Sequence, residues 1–99
     1  MKYRISKEAL VDLEKVWLHT FENCSAAQAD RYFNLIMDEI ECIAQTPELG
    51  KDCSDIREGY FRLRVKSHFI FYKINLPEAE VEIIRILHQQ MDIESRLSE

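Results

Sequence analysis

The chain is poor in the residues that break or loosen a polypeptide. It has two glycines and two prolines in 99 positions, which excludes collagen-like and low-complexity architectures. Apolar runs are short. None nears the roughly 18 residues of a membrane-spanning helix, so no membrane partner is expected. The opening segment from Met1 to Glu8 is charged throughout and lacks an apolar signal-peptide core; a cytoplasmic protein is expected. A basic excess is missing too, since the formal net charge is −5. Proteins held to nucleic acid mainly through phosphates carry the opposite balance. Direct sequence-specific nucleic acid binding is therefore not expected, although a local basic patch remains compatible with this charge. Cysteine occurs only at Cys24, Cys42 and Cys53. The odd number and the lack of a Cys-x-x-Cys pair suggest neither a disulfide framework nor a zinc site, and reduced thiols are expected. There is no glycine-rich phosphate loop, no Ser-His-Asp constellation and no metal-ligand cluster. No cofactor or metal is expected.

What is present suits one small globular domain spanning residues 1–99. Apolar residues make up 46% and charged residues 31% of the chain, and this length has no room for two independent cores. Lys2 to Ile5 alternates polar and apolar, a short opening strand. Ser6 reads as an N-cap, followed by helical spacing through Ala9, Leu10, Leu13, Val16, Trp17 and Thr20, ending near Glu22. Ser25-Ala26-Ala27-Gln28 matches a capping box. From there Ala29, Tyr32, Phe33, Ile36, Ile40, Ile43 and Ala44 form one apolar stripe that stops at Pro47. The short joint makes the two helices an antiparallel hairpin.

Beyond Pro47 the period changes to two. Phe61, Leu63 and Val65 alternate with Arg62, Arg64 and Lys66, so one face is apolar and the other is a row of cations. Ser67-His68 turns the chain, Phe69 to Ile74 makes a second strand, and Glu80 to His88 a third. The third is apolar on both faces and belongs in the middle of a sheet; Ile84 and Ile86 are expected on one side, Val81, Ile83, Arg85 and Leu87 on the other. Met91 to Leu97 reads as a short helical turn capped by Asp92, with Ile93 and Leu97 facing inward. The fold expected is α+β, in the order strand, helix, helix, strand, strand, strand. The helical hairpin covers one face of an antiparallel sheet, because its stripe has no other apolar partner. Ile36, Ile40, Phe69, Phe71, Ile84 and Ile86 are the expected core, with Phe61 also under the helices and Trp17 and Phe33 packing helix against sheet.

Particular words in this order resemble the ParE branch of the RelE/ParE toxin superfamily. They are Tyr3-Arg4-Ile5-Ser6, Ala9 with Asp12-Leu13, Gln28-Ala29 with Tyr32, and Pro47 with Leu49-Gly50. They continue with Ile56 to Tyr60, His68-Phe69-Ile70-Phe71-Tyr72, and Ile84-Arg85-Ile86-Leu87-His88 with Met91-Asp92. The last two are the most specific. The resemblance implies a RelE/ParE toxin-like fold and the toxin component of a type II toxin-antitoxin system. Its implied partners are a cognate antitoxin that neutralises it by direct binding, and DNA gyrase, through the A subunit, as the target. The alternative implied by the RelE branch is a ribosome-dependent mRNA endoribonuclease.

Such a nuclease needs a general base, a general acid and cations for a phosphorane-like transition state, and RelE-type enzymes resemble one another in a functional Tyr or His near the C-terminus. Residues 56–75 hold Arg57, Arg62, Arg64, Lys66 and Lys73 against Glu58 alone, a real cationic stretch on an acidic protein. Nothing after His88 is aromatic, however, so inhibition by binding is preferred to catalysis and no residue is nominated as catalytic. Arg57, Tyr60, Arg62, Arg64, Lys66, Arg85 and His88 are the candidates for antitoxin or target binding. Arginine suits bidentate pairing with antitoxin carboxylates; a solvated strand face and direct target contact are the other readings of the cation row. Tyr60 and Tyr72 are candidates for stacking on bases. His68 and His88 sit at strand ends, where an imidazole can hydrogen-bond to backbone. His19 has no partner nearby in sequence and reads as surface.

Overall fold

The computed structural model describes residues 1–98. Its elements are β1 (Lys2–Ile5), α1 (Lys7–Asn23), α2 (Ala26–Gln45), a 3-10 turn (Pro47–Leu49), β2 (Lys51–Asp52), β3 (Tyr60–Val65), β4 (His68–Asn75), β5 (Glu80–His88) and α3 (Ile93–Ser98). The two-residue strand β2 is an element that the sequence pattern does not announce. Both helix starts are capped as their sequences require: Ser6 Oγ accepts from the Ala9 amide at 3.0 Å and Ser25 Oγ from the Gln28 amide at 3.1 Å. Among the described residues no helix is long and apolar enough to cross a membrane.

The sheet runs β1-β5-β4-β3-β2. β3, β4 and β5 form an antiparallel meander, and β1 lies parallel to β5 at the opposite end from β2. The hairpin of α1 and α2 covers one face. There Ala9, Leu13, Ile36, Ile40 and Ile43 pack on Val65, Ile70, Tyr72, Val81, Ile83 and Ile86.

Two expectations about strand faces are corrected. Phe69 and Phe71 do not lie under the helices. Cross-strand partners share a face, and the register sets Phe61 opposite Tyr72 and Leu63 opposite Ile70. Phe69 and Phe71 therefore fall opposite Arg64 and Arg62, on the far side of the sheet. Phe71 is fully buried there with Cys53, Leu87 and Leu97, and Phe69 packs at the edge of that second cluster. The division expected within β5 also fails. The β4–β5 register shifts between Phe71, which faces Arg85, and Tyr72, which faces Ile83. Ile84 is thus an extra residue, a β-bulge that resets the alternation. Val81 and Ile83 consequently share the hairpin side with Ile86, whereas Leu87 belongs to the far side, and Ile84 is only half-buried.

The β3–β4 turn is Lys66–Ser67, not Ser67–His68, because His68 already pairs with Val65. Lys66 takes the positive φ, 55°, at the first of the two turn positions. On the far side α3 is short, and its carbonyls are held by arginines: Arg57 Nη1 donates to Leu97 O at 2.8 Å and Arg85 Nη1 to Arg96 O at 3.4 Å. Ile93 and Leu97 do turn inward, onto this second cluster.

Candidate functional site

The seven candidate residues divide among several places. Arg57, Tyr60, Arg62 and Arg64 lie on the far face. Arg62 and Arg64 stand over the Phe69 ring, 5.0 and 6.0 Å from its centroid, and Arg57 stands 5.8 Å over Tyr60. Each guanidinium carbon lies over an aromatic ring; Arg57 also donates to Leu97 O, and Arg64 Nε to Lys66 O at 2.9 Å. No ion pair joins Arg57, Arg62 or Arg64 to an acidic side chain of the described residues, in contrast to Arg4 and Lys73, which meet Glu80 and Glu82. Lys66 is exposed at the turn.

Arg85 is engaged within the fold. Its Nε donates to Asp12 Oδ2 at 2.8 Å and its Nη2 to Asp12 Oδ1 at 3.1 Å. Asp12 Oδ2 also accepts the Ile86 amide at 2.9 Å. β1 pairs with β5 only as far as Ile83, so beyond that point the edge of β5 is open, and the Asp12 carboxylate takes an edge amide in place of a strand. Asp12 sits on the buried stripe of α1 with Ala9, Leu13 and Val16. An acid at helical spacing within an apolar stripe was the signal for this role.

His88 belongs to a different cluster. Its Nδ1 accepts the Gln90 amide at 3.1 Å, and its ring meets that of His68 edge to face at 5.1 Å. His68 Nδ1 lies 2.6 Å from the Tyr32 hydroxyl, which donates to Val65 O at 3.2 Å. Burial first, then repulsion from His88 and His19, pushes the His68 pKa down to about 4; the ring is neutral at pH 7. Tyr32 and His68 were not among the candidates. His19 does have a sequence-near partner, since Asn23 Nδ2 lies 3.3 Å from its Nδ1.

Tyr72 is fully buried and unavailable for base stacking. Its hydroxyl donates to Pro47 O and accepts the Gly50 amide, both at 2.8 Å, and burial pushes its pKa up. The Cys53 thiol is buried and likewise pushed up, which disfavours the reactive thiolate. No group of three or more His, Cys, Asp or Glu side chains among the described residues is placed to hold a metal ion.

The sequence pattern also missed a groove on the hairpin. Trp17 does not pack against the sheet. It donates through Nε1 to Asp30 Oδ1 at 2.9 Å and stacks on Phe21 at 5.2 Å. With Ile5, Leu10, Leu13, Phe33 and Met37 it lines a cavity of about 490 Å³, edged by Glu14 and Asp30. Further along α1, Val11, Leu18 and Phe21 are about half exposed.

This fold, a helical hairpin on one face of the sheet, is shared by solved structures of toxin and toxin-antitoxin chains. A chain from the chromosomal ParDE toxin-antitoxin system of P. aeruginosa superposes with a TM-score of 0.77 at 17% identity, covering 89% of this chain and 95% of that one. The YoeB/ParE toxin from Agrobacterium tumefaciens gives 0.66 at 20% identity, with 89% and 98% covered. In sequence, the chain is 36% identical over 95 residues to toxin ParE1 of Caulobacter vibrioides, with 96% of each covered. It is 33% identical over 96 residues to toxin ParE1 of Mycobacterium tuberculosis, with 97% of each covered. The family model for the ParE toxin of the type II toxin-antitoxin system parDE matches residues 3–93. The chain belongs to the ParE toxin family.

Proposed function

We propose that this toxin poisons DNA gyrase by binding rather than by catalysis, and that a cognate antitoxin silences it by docking on the helical hairpin. The observation that carries the antitoxin half is the groove. Leu10, Trp17, Phe33 and Met37 open an apolar cavity to solvent, and α1 continues it with Leu18 and Phe21, 50% and 45% exposed. An apolar strip of this kind on a small acidic protein marks an interaction surface, and its shape suits the apolar face of an amphipathic helix. Glu14 and Asp30 at the rim favour a partner with basic residues flanking that face. Arg62 and Arg64, on the other side of the sheet, form a second anchor for acidic side chains of the same antitoxin once its chain has passed round an edge.

The gyrase half rests on family membership, and the dispersal of the candidate cations supports binding over catalysis. Arg85 is tied to Asp12, while Arg57, Arg62 and Arg64 face away from the His68–His88 pair. The nominated arginines thus do not gather round the histidine pair as a phosphate-binding set. Purified toxin should inhibit supercoiling by purified gyrase, and cognate antitoxin in equimolar amount should restore it. Cleavage of ribosome-bound messenger RNA with supercoiling untouched would replace this reading with the RelE-type endoribonuclease.

A further inference from the structure

All three histidines of the chain line one cavity, and neither the groove nor the arginine face accounts for it. The cavity, about 490 Å³, lies between α1, α2 and the end of β5. His19 and Lys15 enter it from α1, His68 from β4 and His88 from β5. Its one acidic side chain among the described residues, Asp12, has both carboxylate oxygens occupied by Arg85 and the Ile86 amide. The described lining is therefore one of nitrogen donors without a free carboxylate to balance them. Because His88 Nδ1 already accepts a backbone amide, its neutral ring carries the proton on Nε2, as a donor. The same fact disqualifies Nε2 as a metal ligand, since a metal there would need Nδ1 protonated. A second cavity, about 870 Å³, shares His19, Thr20 and Tyr32 with the first and adds Arg31 and Lys66. Asp38 is the one acid at its wall among the described residues.

We infer that this double cavity is a binding site for a phosphate-bearing ligand, with Lys15, His19 and His88 receiving the phosphoryl oxygens and Arg31 and Lys66 taking a second charge along the same groove. The inference goes beyond the gyrase reading and does not rest on it, for its lining uses neither the residues of the groove nor Arg62 and Arg64.

The test is nuclear magnetic resonance of the imidazole side chains in purified toxin, titrated separately with inorganic phosphate, AMP and a short oligothymidylate. Saturable shifts of all three imidazoles are expected, with the Trp17 indole resonance in the hairpin groove unmoved. The His68 titration midpoint should rise in the bound state, since a nearby anion joins Asp12 in favouring the charged ring against burial and the charges of His88, His19, Lys15 and Arg85. The double variant Lys15→Gln/His19→Gln alters exposed residues, so its melting temperature should stay with the parent while affinity falls about tenfold or more. Tighter binding of AMP than of phosphate, without gain in the oligonucleotide, identifies a free nucleotide as the source. Tighter, salt-sensitive binding of the oligonucleotide identifies a nucleic-acid backbone. Absence of saturable shifts with all three probes overturns the site, as does binding that survives the double variant.

Discussion

The two faces of the sheet are built from the same strands and do different work. On the hairpin side Ile36, Ile40, Ile43, Ile70, Tyr72, Val81 and Ile83 have no exposure at all, and two long helices close over them. On the far side, among the described residues, only Cys53, Phe71, Leu87 and Leu97 are buried in the core cluster, under a six-residue helix held at its carbonyls by Arg57 and Arg85. An isolated helix that short has little stability of its own. The difference teaches that alternation along a strand says which residues share a face but not how thickly each face is covered. Stability resides on the hairpin side. The far side has spare surface, and there Arg62 and Arg64 stand over Phe69, Arg64 with its Nε bonded to Lys66 O.

The largest effect is expected where one residue ties both regions together. Asp12→Ala takes the Asp12 carboxylate from Arg85 and the acceptor from the Ile86 amide. Removing one partner of a buried pair costs about 3–5 kcal/mol, a large share of the stability of a domain this size. Asp12→Asn keeps the shape and one acceptor and should cost less. Thermal and urea unfolding of both variants check this, and a loss confined to surface-pair values, about 1 kcal/mol or less, would mean that the Asp12–Arg85 contact is not buried in solution.

Next come two truncations that compare the faces directly. Ile40→Ala should cost about 2–5 kcal/mol, the range for a large-to-small change in a rigid core. Leu97→Ala on the far side should fall at the bottom of that range, about 2 kcal/mol, because a thin cluster under a short helix collapses around the gap more readily. If Leu97→Ala costs as much as Ile40→Ala, the far cluster is as rigid as the main core and the contrast fails.

A smaller effect is expected from pH. His68 has its pKa lowered from 6.5 to about 4 in the folded protein, so the unfolded chain binds a proton more readily between those values. Stability therefore falls as the pH drops from about 6.5 toward 4 and then levels. The full shift would correspond to about 3 kcal/mol. Solvent at the half-buried ring reduces this to about 1–1.5 kcal/mol by screening. Denaturant titrations at pH 7 and pH 4.5, compared between the parent and His68→Gln, isolate this contribution; an unchanged pH slope in the variant would remove His68 as its source.

Much of this fold was legible in the sequence because its signals are local. Ser6 and Ser25 cap the helices they announce, the stripe of α2 is buried where its period places it, and β5 runs from Glu80 to His88 as its residues suggest. The errors came from non-local facts. The bulge at Ile84 arises from the β4–β5 pairing and leaves no mark in the composition of β5. Phe69 and Phe71 were misplaced because their side depends on which residues of β3 they oppose. The candidate site was legible as residue types but not as a place. Arg62 and Arg64 do share a face, but Arg85 faces Asp12, 73 positions away in sequence, and His88 belongs with Tyr32 and His68. The hairpin groove was hidden because Trp17 carries the helical period of a core residue yet lies at the open side of the hairpin.

The central contrast is tested most directly by calorimetric binding of the cognate antitoxin to two folded variants, Trp17→Glu in the groove and Arg62→Glu/Arg64→Glu on the far face. Trp17→Glu places a charge against the apolar cavity and should weaken the complex by several kcal/mol, as for a central interface residue. The double arginine reversal should cost less, about 1 kcal/mol for exposed pairs. A dissociation constant unchanged by Trp17→Glu, with the arginine variant abolishing binding, would contradict the account and move the antitoxin to the far face of the sheet.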